Sequence, residues 1–338
     1  GTFDYFNEVV YDEADPSPIL SSGVVEIVGE DDNITVRGVA EDGCTEGDLS
    51  STCAIGYFGF AFFQANSDVL AAVSVDAGEG PVAPNADSVN EGTYPIARPL
   101  FMYTAPSVIA EKPQVAEFMA YYLNNVNDLI GEVGYFPAPQ ADLAGAAVTI
   151  AAAAGFAMGS EAAATTTTTT EAEAMPEGKF GLPLIDPLDV ASGDIGIAGS
   201  STVFPLSTAI LSQWIDEGGP EYSIDSIGSG GGFERFCVEG ASDISNASRA
   251  IKDSEVESCQ SIGREPIEIR VGSDALSLVV SSGNYFASEL TLEEIATAFA
   301  APAGATWDSV NPAFPAHPIQ AFSPGADSGT FDYFNEVV

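Results

Sequence analysis

The chain has 338 residues, of which 46% are hydrophobic, so it is long enough and apolar enough to bury the cores of two lobes. Its 50 acidic residues outnumber its 9 basic residues and leave a net charge of −41. This charge argues against nucleic acid as a partner, because phosphate backbones bind basic surfaces. It argues against an anionic membrane surface for the same reason.

In the first 150 residues, helical and strand patterns alternate. Helices are predicted over 1–14, 33–39 and 113–130, and strands over 55–63, 69–75 and 96–103, the first of these strands ending in a helix start. Pro99 predicts that the third strand is an edge strand or a segment that crosses between lobes. Residues 77–93 are rich in Gly, Pro and Asn and are predicted to form a loop.

The segment that follows, over residues 143–178, is low in sequence complexity. Residues 143–158 are apolar and Ala-rich, but too short and too weakly hydrophobic to span a membrane securely, so a helix is predicted there. Residues 155–178 consist mostly of Ala, Thr and Glu and include the run Thr165–Thr170. Such a composition cannot bury a core, which predicts a linker over 151–175. A plain spacer is favoured over a stalk that carries glycans.

Three loops rich in Gly, Ser and Thr follow within 60 residues. The first follows a strand at 195–198 and precedes a helix that runs from Pro205 to Trp214. The second, at 229–232, follows a strand at 222–227 and precedes a helix start at Phe233. The third covers 241–249. Loops of this kind at strand ends offer N–H and O–H donors to one small tetrahedral anion. The alternative is three ordinary strand–helix turns.

The remaining residues continue the same alternation of strands and helices. Strands are predicted over 267–271, 276–280 and 319–322, and Thr291 is predicted to cap a helix that runs to Phe299. His317 is the only histidine, and a lone histidine in a loop is most often structural or exposed. Neither a metal-binding cluster, a Ser–His pair nor a Walker loop appears, so neither an enzyme nor a cofactor is predicted. The alternating pattern predicts an α/β fold.

Four cysteines form two pairs of sequence neighbours: Cys44 with Cys53, and Cys237 with Cys259. Two local disulfides in an exported protein are favoured among the three possible pairings. Four reduced, buried thiols are the alternative.

Four stretches resemble the phosphate-binding proteins of bacterial phosphate ABC transporters: GSSTVFPL at 199–206, GSGGGFERFC at 228–237, SDISNASRAIKDSE at 242–255 and SPGADSGTFDYF at 323–334. The resemblance implies two α/β lobes, a type II periplasmic-binding-protein-like fold, with the ligand in a cleft between the lobes. It implies inorganic phosphate as ligand and the membrane permease of a phosphate ABC transporter as partner. It also implies a binding protein that is exported to the periplasm or the cell surface.

Matched to this family, nine residues are predicted to bind phosphate: Ser201, Thr202, Val203 (through its N–H), Ser229, Asp243, Arg249, Ser328, Gly329 (through its N–H) and Thr330. Asp243 is expected to accept a hydrogen bond from the proton of hydrogen phosphate, a proton that sulfate lacks at neutral pH. The family's Arg four residues before the Ser of SGT is Pro324 here. Arg249 is the expected replacement, and a pair with Asp243 is compatible with that role. An ordinary surface ion pair is the alternative for Arg249.

The decapeptide GTFDYFNEVV occurs twice, at 1–10 and at 329–338. Compared with the family, the chain resembles a circular permutation, with the family's C-terminal half first. One lobe is then predicted over 98–150 plus 176–273, and the other over 11–97 plus 274–338. We expect the 329–338 copy to fill its place in the second lobe and the 1–10 copy to be displaced or swapped into a neighbour. A filament or surface array that self-assembles through the duplicated helix is the alternative function.

Overall fold

The computed structural model describes residues 6, 9–11, 17–28, 32–41, 44–158 and 178–324. The chain divides into two compact units, with Gly1–Arg98 and Asp274–Val338 in unit 1 and Pro99–Ser273 in unit 2. Each unit combines strands with helices, so the predicted α/β class is confirmed. Among the described residues, no helix combines the length and the apolar character needed to cross a membrane.

The elements are given in chain order. The strands are β1 (Val25–Ile27), β2 (Cys53–Gly59), β3 (Leu70–Ala72), β4 (Ser74–Asp76), β5 (Pro81–Val82), β6 (Ala97–Thr104), β7 (Phe136–Pro137), β8 (Gly196–Gly199), β9 (Ser223–Ser226), β10 (Ile244–Ala247), β11 (Ile267–Ser281), β12 (Glu289–Thr291) and β13 (Ile319–Ser323). The α-helices are α1 (Ser17–Leu20), α2 (Asp32–Glu41), α3 (Phe60–Ala65), α4 (Ala86–Asn90), α5 (Pro106–Glu111), α6 (Pro113–Val133), α7 (Gln140–Ala154), α8 (Phe204–Asp216), α9 (Gly228–Phe233), α10 (Asp253–Ser261) and α11 (Leu292–Phe299). Short 3₁₀ turns cover Lys179–Gly181, Pro187–Asp189 and Trp307–Ser309, and a π-helical turn covers Glu234–Val238.

Unit 1 is built on a sheet in the order β1-β13-β2-β11, with β3 also paired to β11. β13 is parallel to both β1 and β2, whereas β2 is antiparallel to β11. A second, small sheet has the order β12-β4-β5. β2 is buried along nearly its whole length, as its apolar sequence predicts.

Aromatic side chains fill the core of unit 1. The Phe6 ring is fully buried and stacks on Tyr57, with ring centroids 4.0 Å apart, and it also lies 4.8 Å from Phe299. Elsewhere in the unit, Trp307 is fully buried, packs edge-on against Phe286, and donates its indole N–H to the Cys53 carbonyl oxygen at 2.8 Å.

Unit 2 is built on a sheet in the order β6-β10-β8-β9. β8, β9 and β10 are mutually parallel, and β6 is antiparallel to β10. The long helix α6 begins with Pro113 in its first turn and ends at Gly134, which takes a left-handed conformation (φ 98°). Its buried face packs against α8, where Phe118 meets the fully buried Trp214 edge-on.

Several predicted elements differ from the structure. The Gly-rich segment predicted as a loop at 229–232 lies inside helix α9. The loop predicted over 77–93 contains β5 and α4, whose first turn is capped by the Asn85 side chain. The strands predicted over 267–271 and 276–280 are one strand, β11. Helix α7 runs past the predicted linker start at 151, and Phe156 still packs against the core of unit 2.

The expectation for the duplicated decapeptide was wrong for the first copy. Residues 329–338 lie outside the described residues. Of the first copy, the described residues Phe6 and Val10 are buried in unit 1, so these side chains are not displaced from its core. The reason is packing, because the Phe6 ring fits between two aromatic rings of that unit.

Candidate functional site

The carboxyl ends of β8, β9 and β10 bring three loops of unit 2 to one edge of its sheet. Because these strands are parallel, the residues that follow each of them leave the sheet on the same side. The loops are bonded to each other: the Ser200 N–H donates to the Asn246 carbonyl oxygen and the Ile227 N–H to that of Gly199, each at 2.9 Å. We call the residues at this edge, Ser200–Val203, Ser229, Ser248 and Arg249, the carboxyl-edge cluster.

Gly199 makes the close approach of the first and third loops possible. Its φ is +139°, and a Cβ atom built there would lie 2.0 Å from the Asn246 carbonyl oxygen. Gly232 has a comparable role in α9, where an added Cβ would lie 2.6 Å from the Gly199 Cα. These glycines therefore allow strand β8 and helix α9 to pack in direct backbone contact.

Two backbone N–H groups of the first loop already donate hydrogen bonds within the loop. The Thr202 N–H donates to the Ser200 Oγ at 3.2 Å, and the Val203 N–H donates to the Ser200 carbonyl oxygen at 3.2 Å. In this conformation the Val203 N–H, predicted to bind the ligand, is already used within the loop, and its side chain is fully buried. The hydroxyl groups of Ser201 and Thr202 are the remaining predicted donors here, next to the start of the 13-residue helix α8.

The second and third loops meet at two serines. The Ser229 Oγ accepts the Ser248 N–H at 3.1 Å and lies 3.3 Å from the Ser248 Oγ. Ser229 was predicted as a ligand from the family resemblance, whereas Ser248 was not. A signal for Ser248 was available, because it immediately follows the apolar end of β10 and precedes Arg249.

Arg249 lies in the carboxyl-edge cluster but not beside Asp243. Its guanidinium group binds both carboxylate oxygens of Glu255, at 2.6 and 2.9 Å, and lies 5.1 Å from the centroid of the Phe233 ring. The predicted pair with Asp243 was therefore wrong. Burial raises the pKa of Glu255, but the hydrogen bonds from Arg249 and the Lys252 N–H outweigh burial and lower that pKa below its usual value. Glu255 thus holds the Arg249 guanidinium as a carboxylate.

Asp243 was predicted as a ligand, and the structure places it at the opposite edge of the sheet. It precedes β10, and its N–H donates to the carbonyl oxygen of Gly196, the first residue of β8. Its Oδ2 accepts hydrogen bonds from the Lys112 Nζ at 2.8 Å and from the Gly196 N–H at 2.9 Å. The whole of β10 separates Asp243 from Ser248, so the carboxylate does not lie with the predicted donors.

The other three predicted ligands, Ser328, Gly329 and Thr330, lie outside the described residues. Strand β13, which leads toward them, ends at Ser323 in unit 1. The Ser323 Oγ lies 2.8 Å from the Tyr57 hydroxyl group and donates to the Pro324 carbonyl oxygen at 3.0 Å.

Both predicted disulfides, Cys44–Cys53 and Cys237–Cys259, are present. In the described part of the chain, one group could offer three metal ligands within 4.8 Å of one another: Cys44, Cys53 and His317. Its two sulfur atoms are bonded to each other. The His317 ring is fully buried, with Nδ1 2.9 Å from the Ser51 carbonyl oxygen and Nε2 2.7 Å from the Tyr285 hydroxyl group. The group is therefore structural, and the expectation that His317 has a structural role is confirmed.

Comparison with known proteins identifies the family. A family model described as a PBP superfamily domain matches residues 159–338, more than half of the chain. The chain therefore belongs to the PBP superfamily. Its fold is similar to that of a phosphate-binding protein of a phosphate ABC transporter from Streptococcus pneumoniae, with a TM-score of 0.57 over 91% of this chain and 94% of that chain, at 18% identity. That likeness establishes the two-lobed periplasmic-binding fold.

Among curated proteins, the chain is similar to Protein SphX of Synechococcus elongatus, at 43% identity over 144 residues, or 41% of this chain and 42% of that protein. It is also similar to the phosphate-binding protein PstS of Staphylococcus saprophyticus, at 37% identity over 147 residues, or 43% of this chain and 46% of that protein. The chain thus spans less than half the length of these relatives.

Proposed function

We propose that this chain is a non-enzymatic binding protein for inorganic phosphate that serves uptake through the membrane permease of a phosphate ABC transporter. The PstS relatives are named phosphate-binding proteins. The observation that carries the proposal is the direct bonding of the Ser229 and Ser248 loops beside the Arg249 guanidinium. Hydroxyl groups and a guanidinium group are the donors that a phosphate dianion needs when it leaves water.

Within this proposal the ligands on unit 2 are the hydroxyl groups of Ser201, Thr202, Ser229 and Ser248, together with Arg249. Ser328, Gly329 and Thr330 complete the proposed set from the other part of the chain. Asp243 is not included, because its carboxylate binds Lys112 at the far edge of the sheet. The expected discrimination against sulfate rested on a hydrogen bond between hydrogen phosphate and Asp243, so that reason does not apply to this chain.

The chain carries a very large negative charge, yet an anion site within it is physically reasonable. Fixed donors act at contact distance, whereas distant surface charges are screened beyond about 8 Å at physiological ionic strength. Export to the periplasm or the cell surface is part of the proposal, because both disulfides form readily in an oxidising compartment.

Isothermal titration of the purified chain with phosphate tests this function. We expect micromolar or tighter binding, and an Arg249→Gln variant that binds at least about tenfold more weakly, since one charge-assisted hydrogen bond contributes about 1.4 kcal/mol or more. Arg235→Gln is the matched control, because Arg235 has a similarly exposed side chain and pairs with Asp225 outside the cluster. A chain that binds no phosphate contradicts the function. Unchanged affinity in Arg249→Gln contradicts only the assigned ligand.

A further inference from the structure

The aromatic site that holds Phe6 recognises one side chain of the duplicated decapeptide. The Phe6 ring is nearly parallel to the Tyr57 ring, at 10° and 4.0 Å, and its second neighbour is Phe299 at 4.8 Å. We call this position in unit 1 the Phe6 site. Because the ring is completely buried there, it contributes to the core of the unit and not only to its surface.

The chain contains a second segment with the same side chains. Residues 329–338 repeat residues 1–10 letter for letter, so Phe334 stands in the same sequence context as Phe6. That segment is also tethered beside the same site. Ser323, the last residue of β13, has its Oγ 2.8 Å from the hydroxyl group of Tyr57, the residue on which Phe6 stacks. The eleven residues from 323 to 334 can span up to about 36 Å, which is ample to return to Tyr57.

We propose that the Phe6 site also binds residues 329–338 of the same chain, in exchange with residues 1–10. A close-packed core has room for only one of the two phenylalanine rings at a time. The two segments therefore compete, and each molecule keeps one copy bound and the other unbound.

The lengths of the two tethers set the balance of this competition. Phe6 is five residues from Tyr11, whose hydroxyl group is anchored by a hydrogen bond to the Ala296 carbonyl oxygen at 3.0 Å. Phe334 is eleven residues from Ser323. Loop closure scales as the 3/2 power of length, so the first copy is favoured by about threefold. A copy from a second molecule is a weak competitor at micromolar concentration, because a short tether gives an effective concentration on the order of millimolar.

Stability measurements on four variants of the full chain test the exchange. Burial of a ring normally makes Phe→Ala lower the folding equilibrium constant by about a hundredfold or more. When a second copy can take the site, Phe6→Ala is expected to lower the folding equilibrium constant only about fourfold, because the threefold preference leaves about a quarter of the bound population to the other copy. Phe334→Ala is expected to lower this constant by less than about twofold. The double variant should lose the full hundredfold or fail to fold. Phe58→Ala is the control, because Phe58 is fully buried in unit 1 and is not duplicated. It should show the full loss alone.

Two outcomes would overturn the proposal. If Phe6→Ala is as damaging as the double variant, residues 329–338 do not bind the site. If Phe6→Ala keeps its stability only at high protein concentration and elutes as a dimer by light scattering, the second copy binds in a neighbouring molecule and not in its own.

Discussion

A single carboxylate oxygen of Asp243 accepts two hydrogen bonds, one from the Lys112 ammonium group and one from the Gly196 N–H. Lys112 stands between helices α5 and α6, and Gly196 begins β8. The carboxylate thus joins the helical layer of unit 2 to the amino ends of its parallel strands. It is a structural group, and the side chain is mostly buried while the ammonium group is partly exposed.

Replacing Asp243 by Asn should therefore affect stability and not ligand affinity. We expect a loss of about 2 kcal/mol in the free energy of unfolding, the usual contribution of hydrogen bonds to a charged group. Phosphate affinity should stay within about threefold of that of the unchanged chain, well under 1.4 kcal/mol. Denaturant unfolding and isothermal titration on the same preparation measure both. A variant of normal stability that no longer binds phosphate would show that Asp243 is a phosphate ligand after all.

At the scale of elements, the two disulfides close loops of different length. Cys44–Cys53 ties the start of β2 to the segment before it, with a sequence separation of 9. Cys237–Cys259 ties the π-helical turn that follows α9 to helix α10, with a separation of 22. A crosslink stabilises mainly by restricting the unfolded chain, and the restriction grows with the length of the closed loop.

Removing each pair by Cys→Ser substitution should therefore have unequal effects. The loop-entropy relation gives a loss of about 3.4 kcal/mol for Cys237 and Cys259 and about 2.6 kcal/mol for Cys44 and Cys53. Urea unfolding of the two double variants measures both values. An opposite order would show that contacts in the folded state, and not loop length, decide the contribution of each disulfide.

Local signals in the sequence were enough for the elements with clear boundaries. Helix α8 has Pro205 in its first turn as predicted, and Thr291 caps α11 by accepting the Glu294 N–H at 3.1 Å. The helical glycines of α9 were not predicted, because glycine disfavours an isolated helix and only the close contact of Gly232 with Gly199 explains them.

The candidate site could be predicted only in part. Ser201, Ser229 and Arg249 follow strands and do lie at one edge. Asp243 was misplaced because it was matched to the family's ligand carboxylate and taken to lie beside the donor loops. It stands five residues before Ser248, and a strand of that length spans about 16 Å. Its partner Lys112 is 131 residues away, and no local pattern signals such a contact.

For the whole molecule, charge is the dominant feature. With 50 acidic and 9 basic residues, the chain has too few basic side chains to give most acidic side chains a partner of opposite charge. Their mutual repulsion destabilises the compact state.

Three predictions about the whole molecule stay predictions. They are the lobe ranges, the circular order of the chain and the alternative of a self-assembling filament.

Salt should therefore stabilise the chain. Raising NaCl from 10 to 150 mM shortens the Debye length from about 30 to about 8 Å. Each kcal/mol recovered raises the midpoint of thermal unfolding by about 2–4 °C for a protein with units of this size. We expect this increase in NaCl to raise the midpoint of thermal unfolding, measured by calorimetry, by at least about 2–4 °C. Sucrose of equal osmolality does not screen charge and should raise the midpoint less. A midpoint that salt leaves unchanged would mean that the acidic side chains are already far enough apart not to repel each other.

The placement of the two tryptophans has a spectroscopic consequence. The sequence contains two, and they fall in different units: Trp214 packs against Phe118 in unit 2, and Trp307 against Phe286 in unit 1. Both indole rings are fully shielded from water, so each emits at short wavelength until its own surroundings open. A Trp214→Phe chain then carries a fluorophore that reports only on unit 1, and a Trp307→Phe chain one that reports only on unit 2. The molecule supplies a separate optical probe for each half, without any added label.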